Sequence, residues 1–493
     1  MILFTSGLLF TLATMTMAAP AAPSPGEPGA WHRYQASVSP DLSSLRVRAC
    51  FADGLPDRLL ADHVIARKAT TEMRFLLDDE QVSFRPRGNA ANLRHPSDDD
   101  CIEWDTDLDV IAGLDQMTSG FRAGNSLLLH PGSWLWRPWY IGANRDIEIS
   151  FDLPDGFSVS VPWQPLHSDT PHTFRVGATR LDWPALMAIG RLQTGEINVP
   201  GSTLRVAVAD GSAQGDIDQA IRWLRPAALA VTAMNGKFPH PAPQLLVIPL
   251  DSGRDAAPWA QVNRGGGSAA HFFMNTGANW TVFNDDWIAT HELSHMALPY
   301  VQRSDAWLPE GFASYYQNVL RARIGLLGER QAWQQLHDGF VRGRKNTGTR
   351  ALREVSRSAR LRRANNMRIY WSGAAIALLA DVRLRQQSDN EWNLDRVITE
   401  FQRCCLAENR SWTAREIFTA FDDISDTQIF AQLHYENVYS RHFPRVSETL
   451  DRLGVRFEEE RVVVLDDNAV DAGIRAAIMA QVCGRTGSGR LKV

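Results

Sequence analysis

Apolar residues change their spacing twice along this chain. From about residue 31 to 200 they alternate with polar ones in short runs, the period-two signature of half-buried strands. The runs at 45–50, 72–77, 147–153 and 158–162 are examples, and Asp155-Gly156 marks a turn before the alternating FSVSVPW. This texture predicts an N-terminal β-sandwich-like domain over 31–200. A further strand is expected at 204–208 (LRVAV), a helix at 216–234, and a continuous apolar strand at 245–250 (LLVIPL). Gly265-Gly266-Gly267 predicts a turn or a close backbone approach, ahead of a strand at 270–274. Beyond Asp285 the spacing turns helical, predicting helices at 285–298, 307–324, 328–341, 370–386, 392–403 and 413–421. A small strand–helix appendage is expected at 461–465 and 471–481. The fold class is therefore multi-domain α+β: a β-domain over 31–200, a mixed centre over 201–390 and a mostly helical region over 391–493.

The first residues carry a different pattern. Residues 2–13 (ILFTSGLLFTLA) are mostly apolar, small residues follow at Ala18, Ala19, Ala21 and Ala22, and no charged side chain occurs before Glu27. This predicts a cleavable signal peptide over 1–22 and a flexible leader over 23–30, hence export to the periplasm or medium. The alternative is an uncleaved signal that anchors the chain. No later apolar run is long enough to span a bilayer, so no integral span is expected beyond that signal. Export permits disulfides. Cys50 and Cys101, in one strand-rich region, are candidates to pair. One of Cys404 and Cys405 is a candidate to pair with Cys483; neighbouring cysteines rarely bond each other, and the odd count leaves one thiol over.

Composition narrows the function classes. Among 493 residues, 51 Lys and Arg stand against 56 Asp and Glu, a net charge of -5. That balance gives no reason to expect nucleic acid as a partner, and the 44% hydrophobic content argues against disorder. Five dispersed cysteines suggest a few structural bridges and no cysteine metal site.

The chemistry concentrates in the helical half. His291-Glu292-Leu293-Ser294-His295 is an HExxH motif. Histidines four apart share one helix face and can bind one zinc ion, while Glu292 projects beside the metal as a general base for a bound water. The competing reading is two surface histidines and a solvated glutamate. Trp307-Leu308-Pro309-Glu310-Gly311-Phe312-Ala313 then opens a second helix with Glu310 in its first turn, fourteen residues separating it from His295. A first-turn glutamate suits the helix dipole without any metal. A catalytic zinc needs a third protein ligand, however, and Glu310 can supply it.

HELSH followed by WLPEGFASYY resembles the gluzincin metallopeptidases, in particular the glycyl aminopeptidase family that often carries a PDZ domain, and the aminopeptidase N family. Motif support covers approximately residues 260–390. The resemblance implies a thermolysin-like zinc catalytic domain over 201–390 behind the β-domain, one zinc ion per chain on His291, His295 and Glu310, and Glu292 as base. Tyr370-Trp371-Ser372-Gly373-Ala374 is similar to the families' Y-x-K-G-A segment, which implies that Tyr370 hydrogen-bonds the tetrahedral intermediate. No PDZ-like segment is evident.

Three departures bear on substrate. The spacer between His295 and Glu310 is shorter than in aminopeptidase N, and Ser372 replaces the lysine of Y-x-K-G. In place of a glycine-rich strand whose glutamate holds a free α-amino group, this chain has Gly265, Gly266, Gly267, then Ala270 where the glutamate would stand, then His271. These five are the candidate substrate-binding residues, acting through strand backbone rather than charge. The expected function is that of an exported zinc metallopeptidase acting on peptides or proteins, aminopeptidase-like with N-terminal specificity unsettled. A non-catalytic scaffold keeping the zinc site and a non-peptidase zinc hydrolase are the alternatives, and oligomeric state is not encoded legibly.

Overall fold

Alternation along the first strands does what the pattern demands. In Ser44–Cys50, every second residue is buried, so one face of the sheet is dry and the other wet. Eight strands form this sheet, in the order Gln164–Pro165, Thr173–Val176, Ile147–Asp152, His32–Val38, Ser44–Cys50, Cys101–Asp107, Thr70–Leu77 and Glu80–Phe84. This computed structural model describes residues 31–481, apart from 53, 78–79, 94–99, 115, 117–118, 139–145, 167–170, 178–184, 212, 265–266, 407–409 and 459–461. The expected signal peptide and leader lie outside the described residues. Among these, no helix is long and apolar enough to cross a membrane.

A four-stranded sheet of Ser158–Ser160, Met187–Gly190, Ser126–Leu129 and Gly120–Ala123 covers the dry face. Ser126–Leu129 is buried at every position, because this sheet is a middle layer. Leu127, Leu129, Met187 and Ile189 join the β-domain core. Leu128, Leu186 and Ala188 point the other way, onto Ala207, Leu246, Ile248 and Phe273 of a third sheet.

That third sheet has five strands: β1 (Gln193–Val199), β2 (Ser202–Val208), β3 (Gln244–Leu250), β4 (Trp259–Arg264) and β5 (Ser268–Asn275), in the order β1-β2-β3-β5-β4. β2, β3 and β5 run parallel, and β1 and β4 are antiparallel edges. Its second face packs against helices through Val206, Val208, Leu245, Val247, Phe272 and Met274. Burial on both faces explains why 245–250 reads as unbroken apolar sequence.

The helical layer includes α1 (Ile217–Thr232), α2 (Ile288–Ser294), α3 (Trp307–Arg323), α4 (Glu329–Lys345), α5 (Leu352–Arg357), α6 (Ala359–Ala364), α7 (Asn366–Gln387) and α8 (Leu394–Cys405), followed by helices Ala414–Ser425, Ile429–Val438 and Ser447–Arg452, with α9 (Ala472–Met479) near the end. The fold is thus mixed α+β, β-rich in front and helical behind.

Neither expected boundary separates cores. Pro200-Gly201 is the tight turn of the β1–β2 hairpin, with Gly201 at φ +78°, so the third sheet starts before residue 200. Past residue 390, Leu394, Val397 and Phe401 enter the same core as Ile376 and Leu378. Cys50 and Cys101 are directly opposed cross-strand partners and are bonded. Cys404 and Cys405 bond each other where α8 ends, a correction to the expected pairing with Cys483, which lies outside the described residues.

Candidate metal centre and catalytic site

The helix carrying the first two histidines is shorter than its sequence suggests. The Asp286 carboxylate accepts from the backbone N–H of Ile288 (3.1 Å) and Ala289 (2.9 Å), which fixes where α2 begins. At the other end, Pro299 holds Leu298 extended, at φ -117° and ψ 155°. Residues His295–Ala297 therefore finish as a single 3-10 turn, in place of the continuous helix expected over 285–298. Burial raises the pKa of Asp286, whose carboxylate also accepts from Trp223 Nε1 at 3.0 Å.

α3 packs beside α2, and Arg321 near its far end donates to the Asp285 carbonyl at 3.0 Å. This places the first turn of α3 by the histidines. Glu310 Oε2 lies 3.4 Å from His291 Nε2 and 3.5 Å from His295 Nε2. One donor atom from each of His291, His295 and Glu310 falls within 4.8 Å of the others. Burial alone would raise the Glu310 carboxyl, yet the charges and hydrogen bonds of His295 and His291 hold it well below its ordinary range. For His291, burial pulls down, but the Glu310 hydrogen bond and the neighbouring Glu292 charge raise it overall. The expected ligand residues are brought together, with half-buried Glu292 beside them.

Gln317 is a member of the site that sequence reasoning missed. Its side-chain carbonyl oxygen is 2.8 Å from His291 Nδ1. An amide oxygen only accepts, so Nδ1 donates to Gln317, which leaves Nε2, facing Glu310, as the nitrogen that could ligate a metal in place of its proton. The available signal was spacing: Gln317 follows Glu310 by seven residues, two helical turns along one face.

Tyr370 arrives from α7, its ring stacked on His291 at 5.8 Å between centroids and 9° between planes. Burial, then the Glu310 and Glu292 charges, push its phenol far above the ordinary range. Two glycines bring it there. A Cβ on Gly311 would sit 2.2 Å from Gly373 Cα, and one on Gly373 would sit 1.9 Å from the Trp307 carbonyl oxygen. α3 and α7 thus cross in backbone contact, and the pair of motifs WLPEG and YWSG is the pair that touches. Ser372 is buried, with no hydrogen-bond partner among the described residues, so it lends Tyr370 no polar support.

The expected substrate-binding residues are placed differently. Gly265 and Gly266 lie outside the described residues. Gly267 has φ +154°, and a Cβ there would fall 1.4 Å from the Pro162 carbonyl oxygen, so its role is close docking on the β-domain. Ala270 and His271 sit in β5, which is paired on both sides and open to no added strand. Side chains alternate across a strand: Ala270 faces the helices, while His271 faces the β-domain. There His271 Nε2 accepts from Leu186 N–H at 3.3 Å, and burial pushes its pKa down to about 3. The edge nearest α2 is β4, unrecognised in the sequence although its alternating Ala-Gln-Val-Asn precedes a glycine turn. Ala260 and Val262 pack toward the helical core, and no residue of 259–264 (WAQVNR) is acidic.

Residues 288–376 match the family model of the M61 glycyl aminopeptidases. No curated protein matches the chain in sequence. Among solved structures, an aminopeptidase N family protein from Idiomarina loihiensis superposes with a TM-score of 0.60 at 14% identity, covering 86% of this chain and 78% of its own. An M1 zinc metallopeptidase from Deinococcus radiodurans is similar at a TM-score of 0.49 and 15% identity, over 86% of this chain and 97% of its own. The first of these likenesses is one of fold, and together with the family match it bears out the resemblance to aminopeptidase-like gluzincins.

Proposed function

We propose that this chain is an exported zinc metallopeptidase of aminopeptidase-like build, its five-stranded sheet and helices forming a thermolysin-like catalytic domain. The observation that carries the reading is the convergence of His291, His295 and Glu310 within 4.8 Å, with Tyr370 stacked on His291. The donor set fits zinc: two imidazole nitrogens and one carboxylate oxygen leave a fourth position open in a tetrahedron. Zinc, when bound, supplies Lewis acidity that lowers the pKa of water toward neutrality and polarises a carbonyl. Glu292 accepts the proton of the attacking water and passes it to the leaving amine. Tyr370 keeps its proton at neutral pH and donates to the developing oxyanion, where the contact is strongest in the transition state. Gln317 holds His291 in the tautomer that binds. The open edge of β4 offers backbone groups to an extended peptide, and with no carboxylate on that strand a free α-amino group gains no anchor there. The Cys50–Cys101 bridge is in keeping with export.

Glu292→Gln tests the core of this. Hydrolysis of a peptide library should fall by about three orders of magnitude, with zinc content by elemental analysis unchanged; retained activity removes the general base. Mass-spectrometric mapping of the wild-type products then separates N-terminal trimming from internal cuts.

A further inference from the structure

The net charge of -5 conceals a local inversion. Between Arg342 and Arg368 the sequence holds ten Arg or Lys and a single acidic residue, Glu354. Glu354 is already engaged, accepting from the Ala351 N–H at 3.0 Å to cap α5. Some of the cations have structural work. Buried Arg368 donates to the carbonyls of Arg350, Ser440 and Arg441, and Arg342 lies over the Trp371 ring. Arg350, Arg357, Arg360 and Arg363 instead stand exposed, and none forms an ion pair with a described residue. Concentrating like charge costs self-repulsion, and nothing in the local packing offsets it at these four.

Position gives the patch a purpose. α5 packs on the Arg303–Asp305 turn, which lies in the connection between His295 and Glu310. α6 ends at Ala364, two residues before α7 begins, and Tyr370 is in the first turns of α7. The basic surface therefore adjoins the elements that carry Glu310 and Tyr370. Building on the metallopeptidase reading, we propose that Arg357, Arg360 and Arg363 bind an acidic segment of the peptide substrate that flanks the scissile bond. An anionic membrane is the other macromolecular surface such a patch would fit, but the patch adjoins the elements of the proposed peptidase site, so the peptide is favoured.

The test compares two peptides with the same residues around the cleaved bond, one extended by four glutamates and one by four glutamines, each extension placed in turn at either end. At low salt the wild-type enzyme should show kcat/KM about tenfold higher for the acidic peptide with the extension at one end only. That ratio should fall toward one at 1 M salt, where the screening length is about 3 Å, and in the triple variant R357E/R360E/R363E. A triple R357Q/R360Q/R363Q variant should fall between, which separates charge from misfolding. A ratio near one in wild type, with the glutamine peptide still cut, overturns the patch and leaves the peptidase reading intact. If neither peptide is cut, the peptidase reading fails, and fluorescence anisotropy of the labelled glutamate peptide still decides whether the patch binds it. Co-sedimentation of wild type with phosphatidylglycerol vesicles, lost in the triple glutamate variant while the peptide ratio is unchanged, assigns the patch to membranes and overturns the proposal.

Discussion

His271 shows how a single residue can look functional and be structural. A histidine after three glycines invites a catalytic reading, yet it is sealed between the third sheet and the β-domain, accepting from the Leu186 N–H. Burial disfavours its charged form, so its pKa drops from 6.5 to about 3. Unfolding restores the higher value. Between those two pH values the unfolded chain binds more protons, and stability falls as pH decreases from about 6.5 through 3. His271→Gln keeps an acceptor and removes the titration. The unfolding free energy of wild type from urea titration should therefore fall more steeply than that of the variant between pH 7 and pH 5, by up to about 1.4 kcal/mol per pH unit; parallel profiles would exclude His271 as the source. At this scale the convergence of the two candidate histidine ligands was legible, because residues four apart on a helix share a face. The face chosen by His271 was not, since it depends on whether β5 is an edge or an interior strand.

The crossing of α3 and α7 is the element on which the site turns. Gly311 and Gly373 let two helices approach until their backbones touch, and that contact brings Glu310, at the Nε2 edge of His291, and Tyr370, stacked on its ring face, to one imidazole. Gly373→Ala forces the helices apart. We expect a loss of about 2 kcal/mol or more in stability, and a fall in kcat larger than any change in zinc content, because Tyr370 shifts more than the ligands do. Equal loss of metal and activity would place the damage in the triad instead. The glycines were visible in the sequence as parts of two motifs, but their mutual contact was not, because it joins segments more than sixty residues apart. β4 was missed for a related reason: six residues of alternation gain meaning only once β5 is there to pair with them.

Across the whole molecule, the β-rich front and the helical back share the third sheet between them. Arg205 on β2 stitches the junction, donating to the carbonyls of Trp163 (2.7 Å) and Val161 (3.1 Å) on one side and Ala242 on the other. Burial lowers its pKa only to about 10, so it remains charged at neutral pH. Arg205→Met leaves three buried carbonyls without that donor. Its calorimetric unfolding should split into two transitions where wild type gives one, and a single shifted peak would mean that other contacts carry the junction. The two textures of the chain were legible from spacing alone. The placement of both boundaries was not, because a Pro-Gly pair reads as a linker whether it separates domains or turns a hairpin.

One long-range bond bears on when this site can exist during synthesis. α3, which carries Glu310 and Gln317, is held by Arg323, whose guanidinium pairs with Asp395 and donates to the Ile478 carbonyl 155 residues further on. At roughly 5–20 residues per second, a ribosome needs on the order of ten seconds to travel that interval. The helix that completes the triad waits through that interval for its last support. The helix carrying Glu310 and Gln317 thus depends for its last support on residues made long after it, so the proposed metal site can be completed only after that late segment has docked.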